Sequence, residues 1–408
     1  MLLPTTSYRT EPFALAARAL GVEPMLGTDR CQRIDALWPD EATIALDFRD
    51  PEDAAARIVR LSRERRVAAI VPTSEETAVI AALAASALGL PHNPPDAARA
   101  TRDKYVMRER FAAAGVSQPR FRLLDVDADP ERLAEGVELP CVLKPRHLQA
   151  SRGVIRADDR ASFVAGFRRL AALLRLPDVA AKGGPLARSL LCESYVAGVE
   201  VAVEGIVTDG RFEVLAIFDK PDPLVGPFFE ESIYVTPSRL PDDTQRVIAD
   251  ATARAAAAIG LRHGPVHAEL RWNGTASSVI ELAARTIGGL CSRTLRFGAG
   301  ISLEELVLRH ALGEDIGALG RESRAAGVMM IPVPRAGVLA GVSGIDEAAA
   351  VRGIEEIAIT MKIGEKLVPS PEGGAYPGFI FARGETPAFV EAALREALGR
   401  LRFAVAPL

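Results

Sequence analysis

Two acidic residues on neighbouring predicted strands give the strongest chemical signal in the sequence. The segment 265–272 alternates apolar and polar residues, which places Glu269 on its polar face. The next alternating segment carries Glu281 and Arg285 on one face, and an Asn-Gly dipeptide, typical of hairpin turns, joins the two segments. Carboxylates that meet across a hairpin could hold magnesium, which prefers carboxylate oxygens and is usually shared with phosphates. The arginine would complete a site for phosphate oxygens.

The register of this hairpin decides whether the two carboxylates meet. A two-residue turn pairs Glu269 with Ser278 and turns Glu281 to the other face, whereas a five-residue loop over 273–277 pairs Glu269 with Glu281 directly. Directly opposed like charges repel unless a cation lies between them. Strict alternation places Ile280 on the apolar face. Two solvated carboxylates on an exposed sheet face remain the alternative interpretation.

A lysine at the end of an apolar run gives a second signal. Lys144 closes the strand-like segment PCVLK, where an ammonium group needs a partner. The polar loop that follows contains Ser151 and Gly153, and backbone N–H groups of such loops can bind phosphates. A plain turn is the competing interpretation. The sequence contains neither a GxxxxGK[ST] loop nor a GxGxxG turn that opens a helix after a strand.

A short connector between two further strands carries acids that suit a nucleoside. Glu193 and Glu200 flank the segment SYVAGV. The strand edge could bind a purine base through its backbone, while Glu200 accepts hydrogen bonds from ribose hydroxyls. Two exposed acids are the alternative, and Lys104 and Lys220, taken singly, are equally compatible with surface positions.

The elements that must position these residues fall into four predicted regions. Residues 1–102 alternate short strands and helices, which predicts a parallel sheet with covering helices. Residues 103–190 form a smaller α+β region, and residues 191–326 are rich in strands that include the carboxylate hairpin. Residues 327–408 repeat strands and a helix and are predicted to form a C-terminal subdomain. The fold class is therefore a multidomain combination of α/β and α+β.

The composition excludes several classes of protein. The 408 residues are 49% hydrophobic and 25% charged, which is ordinary for globular domains, and the net charge of −4 gives no basic excess for nucleic acid. The polar N-terminus does not resemble a signal peptide, and no apolar run is long enough to cross a membrane, so we expect a cytoplasmic protein. Four widely spaced cysteines without a CxxC pair predict reduced thiols: Cys31, Cys141, Cys192 and Cys291.

Taken in order, these segments resemble the ATP-grasp ligases. Lys104, Lys144 and the segments SRGV, CESYVAGVE, FDK, HAE and ELAARTIGG follow one another at family-like spacing over nearly the whole chain. The pattern is most similar to the L-amino acid ligase branch, in which ELAAR replaces the commoner motif with an asparagine. The segment EGGAYPGFIFARG resembles the extra C-terminal subdomain of that branch. The resemblance implies an ATP-grasp fold preceded by a parallel βαβ (pre-ATP-grasp) domain.

The resemblance also implies a set of contacts to ATP. The two lysines would contact phosphates, the Ser-Gly loop would close over the β- and γ-phosphates, and the connector would bind adenine and ribose. The connector positions are Glu193 and the backbone near Val196 for adenine, and Glu200 for ribose. The implied nucleotide contacts are Lys104, Lys144, Ser151, Gly153, Glu193, Val196 and Glu200.

The remaining implied roles concern the metal and the reacting groups. Glu269 and Glu281 would bind magnesium, with manganese as the alternative ion. Lys220 would reach a phosphate, Arg285 would stabilise an acyl phosphate and its breakdown, and Glu231 would lie near the substrate amine or a metal. The sequence departs from many ATP-grasp enzymes at one metal-binding position, where alanine replaces asparagine, and its phosphate loop contains one glycine where many members have more.

The implied activity is an ATP-dependent carboxylate–amine ligase. An L-amino acid would be joined to a second amino acid or a related amine through an acyl phosphate, with release of ADP and phosphate. Two alternatives stay open: activation of another carboxylate, such as bicarbonate, formate or a biosynthetic intermediate, or nucleotide binding by a regulator without turnover. The partners implied are ATP and small-molecule substrates, without nucleic acid or membrane, and the family favours a homodimer.

Overall fold

The N-terminal region forms a parallel α/β layer. The computed structural model describes residues 1–5, 7–29 and 43–408. Strands 26–28 and 43–45 pair in parallel, and Leu2 forms parallel bridges to both Gly27 and Pro72. The elements are α1 (Thr10–Ala19), β1 (Leu26–Thr28), β2 (Thr43–Ala45), α2 (Pro51–Leu61), α3 (Glu75–Leu88), α4 (Pro95–Arg102) and α5 (Lys104–Ala113).

Local signals set the ends of these helices. The side chain of Ser74 accepts a hydrogen bond from the backbone N–H of Thr77, and the hydroxyl oxygen of Thr77 accepts one from the backbone N–H of Ser74, which forms a capping box at the start of α3. Gly89 ends that helix with a φ of 66°, a left-handed conformation that glycine adopts without strain. Asp103 begins α5 by accepting a hydrogen bond from the backbone N–H of Tyr105. The start of α5 places Lys104 in its first turn.

A small antiparallel sheet follows. Its strands run in the spatial order β3-β6-β4-β5, and α7 packs on one face. The elements are β3 (Phe121–Asp125), α6 (Pro130–Ala134), β4 (Cys141–Pro145), β5 (Ile155–Ala157), α7 (Arg160–Leu174), α8 (Pro177–Gly183) and β6 (Ser189–Ser194).

The largest layer is an eight-stranded sheet. The elements of this part of the chain begin with β7 (Val199–Thr208), β8 (Arg211–Asp219), β9 (Ile233–Thr236), α9 (Asp242–Ile259), β10 (Gly264–Trp272), β11 (Ser277–Ala283), β12 (Arg296–Phe297), β13 (Ile301–Ser302) and α10 (Leu303–Ala311). The elements that follow are β14 (Ala325–Met330), β15 (Gly337–Ser343), α11 (Ile345–Ala349), β16 (Ile354–Ile359), β17 (Lys366–Leu367), β18 (Gly378–Gly384), α12 (Pro387–Arg400) and β19 (Arg402–Ala406). The spatial order of the sheet is β11-β10-β7-β8-β9-β14-β18-β16. Two small sheets lie apart from the large one: β12 pairs with β13, and β15 pairs with β17 and β19.

The sheet topology corrects two of the predicted domain boundaries. The boundary between residues 190 and 191 falls inside β6, whose pairing with β3 and β4 assigns it to the small sheet. The boundary between residues 326 and 327 falls inside β14, which pairs with β9 on one side and β18 on the other. Alternation of apolar residues identifies a strand but does not identify its neighbours, so the sequence could not show that the C-terminal segment continues the large sheet.

In the described part of the chain, no helix combines the length and apolarity needed to span a membrane. The thiols of Cys141, Cys192 and Cys291 are buried and free, in agreement with the prediction of reduced cysteines. The prediction for Cys31 lies outside the described residues.

Candidate active site

A cavity of about 870 Å³ lies where the small sheet, the large sheet, the N-terminal region and the C-terminal segment meet. Ten of the twelve predicted site residues line it, and the other two contact lining residues: Gly153 lies against Pro145, and Lys220 is paired with Glu200. The ten are Lys104, Lys144, Ser151, Glu193, Val196, Glu200, Glu231, Glu269, Glu281 and Arg285.

The two hairpin carboxylates are cross-strand partners. Glu269 of β10 pairs with Glu281 of β11, as the five-residue register predicts, but the structure reaches this pairing differently. Trp272 pairs with Ser277, so the loop has four residues, and a β-bulge between Glu269 and Leu270 shifts the register by one. The bulge brings the carboxylates together.

The bulge also reverses the predicted side-chain position of Ile280. Val279 pairs with Leu270 and is fully buried in the core, whereas Ile280 lines the cavity. The prediction that Ile280 lies on the apolar face was therefore wrong. An extra residue in a strand moves the side chains between it and the turn to the opposite face of the sheet. A prediction from strict alternation of apolar and polar residues does not include that shift.

Each carboxylate of the pair contacts a different lysine. The ammonium group of Lys104 lies 3.0 Å from Glu281, and that of Lys220 lies 3.5 Å from Glu269. Burial alone would raise the pKa of Glu269, but the charge of Lys220 and the neighbouring His267 outweigh it and hold this pKa well below its usual range. Glu269 is therefore an anion at neutral pH.

Lys220 occupies a cluster of three carboxylates. It also contacts Glu200, at 2.8 Å, and Glu231. The oxygens of Glu200, Glu231 and Glu269 all lie within 4.8 Å of one another. Burial and the nearby charge of Glu269 raise the pKa of Glu231 above its usual value. The ammonium group of Lys220 thus compensates the negative charge of this cluster without itself lining the cavity.

Lys144 is held by a buried acid. Its ammonium group lies 2.7 Å from Glu193, and the other oxygen of Glu193 accepts a hydrogen bond at 2.6 Å from Arg108. Burial and the neighbouring guanidinium group lower the pKa of Lys144, while Arg108 and Lys144 together hold the pKa of the buried Glu193 below its usual value. Both carboxylate oxygens of Glu193 are therefore engaged by cations, and its contact with adenine stays a prediction.

Arg271 organises the connector. It donates hydrogen bonds at 2.8 Å to the carboxylate of Glu200 and at 2.8 Å to the backbone carbonyl of Val196. The two residues predicted to hold ribose and adenine are thus fixed by one guanidinium group from β10. Tyr195, which also faces the cavity, lies beneath that guanidinium group.

The predicted phosphate loop contacts the C-terminal segment. Ser151 and Gly153 have φ values of 54° and 78°. The backbone N–H of Gly153 donates to the carbonyl of Pro371 at 2.7 Å, and Arg152 donates to the carbonyl of Glu372 at 2.7 Å. The carboxylate of Glu372 binds Arg169 of α7 through two hydrogen bonds. The loop and the C-terminal segment together form one wall of the cavity.

Arg285 reaches the cavity from the end of β11. It is paired at 2.8 Å with Glu75, a buried residue in the first turn of α3. Burial would lower the pKa of Arg285, but Glu75 and Glu281 raise it, so the guanidinium group stays charged. Arg9, from the N-terminal region, donates to the carbonyl of Thr286 at 2.9 Å and thereby fixes the backbone next to Arg285.

His267 completes the polar face of β10. Its Nδ1 lies 2.5 Å from the buried carboxylate of Glu204 on β7, and its Nε2 lies 3.5 Å from Glu269. Burial would lower the pKa of His267, but Glu204 and Glu269 raise it.

The donor set at the hairpin fits a hard divalent cation. Glu269 and Glu281 present carboxylate oxygens to the same cavity as the predicted phosphate contacts, and magnesium and manganese prefer such oxygens. Cys291 also lines the cavity, where burial and the charge of Glu231 raise the pKa of that thiol and so disfavour the thiolate form that binds metals. The residues present therefore suit an ion that is shared with phosphate.

Sequence reasoning missed three residues that organise the site: Arg108, Arg271 and Glu75. Arg271 shares the polar face of β10 with Glu269, so its position was visible, but its two partners were not. Arg108 lies in α5 and donates to the carbonyls of Val279 and Ile280 in the bulge as well as to Glu193. No sequence signal connects α5 or α3 to strands more than 80 residues away.

Comparisons with known proteins assign three segments of the chain to families. Residues 137–294 match the ATP-grasp domain, residues 13–92 match the ATP-grasp N-terminal domain, and residues 329–406 match the L-amino acid ligase C-terminal domain 2. Along the chain, the N-terminal match falls in the parallel α/β layer, the central match covers most of the small sheet and the carboxylate hairpin, and the last match covers the C-terminal segment.

Individual proteins are similar over larger parts of the chain. The crystal structure of the L-amino acid ligase from Bacillus licheniformis superposes with a TM-score of 0.84 and 27% identity, covering 99% of this chain and 98% of that one. The alanine–anticapsin ligase of Bacillus subtilis is 28% identical over 285 residues, which are 67% of this chain and 58% of that protein. The protein y4rH of Sinorhizobium fredii is 24% identical over 415 residues, covering 100% of this chain and 83% of that protein. This chain therefore aligns with little more than half the length of the alanine–anticapsin ligase.

Proposed function

We propose that this chain, which matches the ATP-grasp domain over residues 137–294 and the L-amino acid ligase C-terminal domain 2 over residues 329–406, is an ATP-dependent ligase that joins an L-amino acid to a second amino acid or a related amine. The observation that carries the proposal is the pairing of Glu269 with Glu281 in a cavity that Lys144 and Arg285 also face. Opposed carboxylates beside separate cations suit a site for a metal ion and a transferring phosphoryl group.

We assign ATP to the part of the cavity between the small sheet and the connector. Lys144 and Lys104 supply positive charge for phosphates, and the loop that contains Ser151 supplies backbone donors. Val196 and Glu200, both held by Arg271, offer a carbonyl oxygen and a carboxylate to the nucleoside. Because these groups come from different layers, ATP would bridge the small and the large sheet.

The negative charge that develops on the phosphate oxygens during the reaction would lie near Glu269, Glu281 and Arg285. The carboxylate of the first substrate attacks the γ-phosphorus of ATP, the bond to the β-phosphate oxygen breaks, and an acyl phosphate and ADP form. Magnesium, when held by Glu269 and Glu281, would neutralise charge on the phosphate oxygens. Arg285, held by Glu75, would stabilise the acyl phosphate through its guanidinium donors.

The second substrate then completes the bond. Its amine attacks the acyl carbon, phosphate leaves, and the amine loses a proton. Glu231 lies next to Lys220 in the same cavity, and its raised pKa makes it a better proton acceptor than an ordinary carboxylate. We therefore assign Glu231 to the binding of the amine and the removal of its proton.

The acyl phosphate must be protected from water. Gly153 and Arg152 hold the loop against the C-terminal segment through the carbonyls of residues 371 and 372, on the side that we assign to the phosphates. Exclusion of water by such contacts prevents hydrolysis of a reactive intermediate.

The test is ADP release from ATP and magnesium across pairs of amino acids, with mass spectrometry of the products. A dipeptide mass that forms in proportion to ADP is the expected result. ADP release that depends on one amino acid without a dipeptide would identify a different amine acceptor. Tight ATP binding without ADP release for any amino acid would contradict the proposal and favour another carboxylate or a regulator.

A further inference from the structure

One corner of the cavity is lined by side chains that the proposed ATP and metal contacts do not use. Its base is Phe379 of β18, whose side chain is fully buried. Tyr8 and Tyr376 line the cavity, and each meets the Phe379 ring edge to face, at centroid distances of 5.6 Å and 6.0 Å. Met330 of β14, which also lines the cavity, is the register partner of Phe379. These four residues form the apolar corner.

Two glycines border the apolar corner, and both line the cavity. A Cβ atom at Gly289 would lie 2.9 Å from the ring of Phe379, and the φ of this residue is +58°, so glycine is needed for the backbone to approach the ring this closely. A Cβ atom at Gly288, in contrast, would meet no atom of the described residues within 4 Å. The absence of a side chain at Gly288 thus leaves open space beside the apolar corner.

The apolar corner carries no charge at neutral pH. Burial raises the pKa of both tyrosines, so their hydroxyl groups stay protonated. The thiol of Cys291, which lines the cavity and lies beside Gly289, is also protonated, because burial raises its pKa. A polar group that moves from water into such surroundings without a hydrogen-bond partner is destabilised. This part of the cavity therefore suits an apolar group.

The apolar corner adjoins Glu231, which we assign above to the substrate amine. The negative charge of Glu231 contributes to the raised pKa of both Tyr376 and Cys291, which places this carboxylate close to both. The backbone N–H of Met330 donates at 2.7 Å to the carbonyl of Ser232, the residue after Glu231. In an α-amino acid, the amine and the side chain are attached to the same carbon atom. An amino acid whose amine lies at Glu231 would therefore have its side chain within reach of the apolar corner.

We propose that the apolar corner binds the side chain of one amino-acid substrate and selects large apolar side chains, such as those of leucine, methionine and phenylalanine. The inference rests on the proposed function, because it names the substrate class of that site. Aromatic rings and thioether groups pack well against such side chains and make favourable sulfur–aromatic contacts. A small side chain would leave the space beside Gly288 empty and lose these contacts.

The test compares amino acids of similar size but different polarity. Methionine is compared with glutamine, and leucine with asparagine, each with ATP, magnesium and the partner amino acid that gives most product with the wild-type protein. ADP release gives kcat/KM, and tandem mass spectrometry shows at which position of the product the varied amino acid was joined. At one of the two positions, we expect kcat/KM to be about 10- to 100-fold higher for the apolar member of each pair, because a polar side chain would be buried without partners.

Gly288→Val tests where the selected side chain lies. Valine would occupy the open space, so kcat/KM should fall by about 10- to 100-fold for leucine and methionine and stay near the wild-type value for alanine and glycine. Gly341→Val is the matched control, because a Cβ atom there also meets no described atom within 4 Å, but Gly341 lies on β15 and does not line the cavity. This control should keep the wild-type order of substrates.

The possible outcomes separate this inference from the proposed function. Product formation with no preference for the apolar member at either position would overturn the apolar corner as a selective site and leave the ligase activity standing. An equal loss for all four amino acids in Gly288→Val would overturn the placement of the side chain. If no pair of amino acids supports ADP release, both the inference and the proposed function are wrong. The wild-type comparison needs no variant, and Gly288→Ala, which adds one methyl group, replaces Gly288→Val if that variant does not fold.

Discussion

Glu193 and Lys144 form a buried ion pair at 2.7 Å on neighbouring strands of the small sheet. Glu193 pairs with Val142, two residues before Lys144 on β4, so the carboxylate reaches along the strands to the ammonium group and holds it at the cavity wall. The second oxygen of Glu193 is bound to Arg108, which also binds the bulge in β11. One carboxylate thereby connects a predicted phosphate contact in the small sheet to the strand that carries Glu281.

Glu193→Gln should weaken ATP binding and destabilise the protein. Removal of the charge leaves two buried cations without their partner, which costs about 3–5 kcal/mol in other buried ion pairs. We expect the KM for ATP to rise about tenfold, the equivalent of one charged hydrogen bond. Steady-state kinetics and urea unfolding measure the two effects. Glu138→Gln, which removes one partner of an exposed ion pair with Arg120, should change neither, and an unchanged KM in Glu193→Gln would disprove the positioning of Lys144.

Glu281→Ala should remove metal-dependent ADP formation while the protein stays folded. The side chain is partly exposed to the cavity, so its loss leaves no large void, but the charge available to a cation at the hairpin is halved. We expect kcat to fall by about 10²–10³-fold, as when a group that stabilises transition-state charge is removed. Glu213→Ala, on the solvent-exposed part of β8, is the control. Wild-type turnover in Glu281→Ala would exclude a metal role for this residue.

Gly153→Ala tests the position of the phosphate loop. A Cβ atom at this residue would lie 2.8 Å from Pro145 and 3.2 Å from Leu173, and the φ of +78° is unfavourable for alanine by about 1–2 kcal/mol. Displacement of the loop should raise the KM for ATP. Gly210→Ala carries the same unfavourable φ, +84°, but meets no atom within 4 Å and lies in the β7–β8 turn. Equal kinetic effects of the two substitutions would show that the close approach of Gly153 is unimportant.

Glu372→Ala should uncouple ATP consumption from product formation. Its carboxylate joins the C-terminal segment to Arg169, beside the backbone contacts of the loop. The pair is partly exposed, so the free energy of unfolding should change by less than about 1 kcal/mol. Water that enters the loosened wall would hydrolyse the acyl phosphate, so the ratio of phosphate to ligated product should rise. Glu131→Ala removes an exposed partner of Arg168 on the same helix, and it should leave the ratio at its wild-type value.

His310→Gln should reduce the loss of stability in acid. Burial and the adjacent His263, stacked at a centroid distance of 4.2 Å, lower the pKa of His310 to about 4, from the unfolded value of 6.5. Between these two values the unfolded chain binds more protons than the folded one, so the free energy of unfolding falls as pH drops through the window. The contribution is absent above 6.5 and complete below about 4.

The expected change in the free energy of unfolding can be measured as its dependence on pH. Each unit of pH within the window lowers the free energy of unfolding by up to about 1.4 kcal/mol for one histidine. Glutamine can retain the hydrogen bond to Thr208 without binding a proton. Urea unfolding at pH values inside and above the window should give a smaller slope for the variant, and identical slopes would show that His310 does not titrate in this range.

The local structure was largely predictable because its causes are local. The start of α3 follows from Ser74 and Thr77, the end of α5 from Gly115, and the parallel N-terminal layer from the alternation of strand and helix patterns. The grouping of the site residues was predictable because their motifs follow one another along the chain on adjacent strands and connectors. The pairing of Glu269 with Glu281 was one of two registers that the sequence left open.

The remaining features depend on contacts that no sequence pattern encodes. The bulge at Ile280 requires bound carbonyl groups, and Arg108 supplies their partners from a helix 171 residues away along the chain. The partners of Glu193 were hidden for the same reason, since a buried acid reveals its cations only in three dimensions. The membership of β14 in the large sheet depends on which strand edge is available to it.

The continuity of the large sheet across β9, β14 and β18 limits how this enzyme can be re-engineered. An exchange of the C-terminal domain with a relative would replace three strands of the sheet that carries the carboxylate hairpin, and it would interrupt the pairing of β14 with β9. The exchangeable unit is smaller. It is the stretch from Met361 to Tyr376, which reaches the cavity wall between β16 and β18 and includes only the two-residue β17 of the separate three-stranded sheet. Chimeras cut within that stretch should inherit a new substrate wall on an unchanged catalytic sheet.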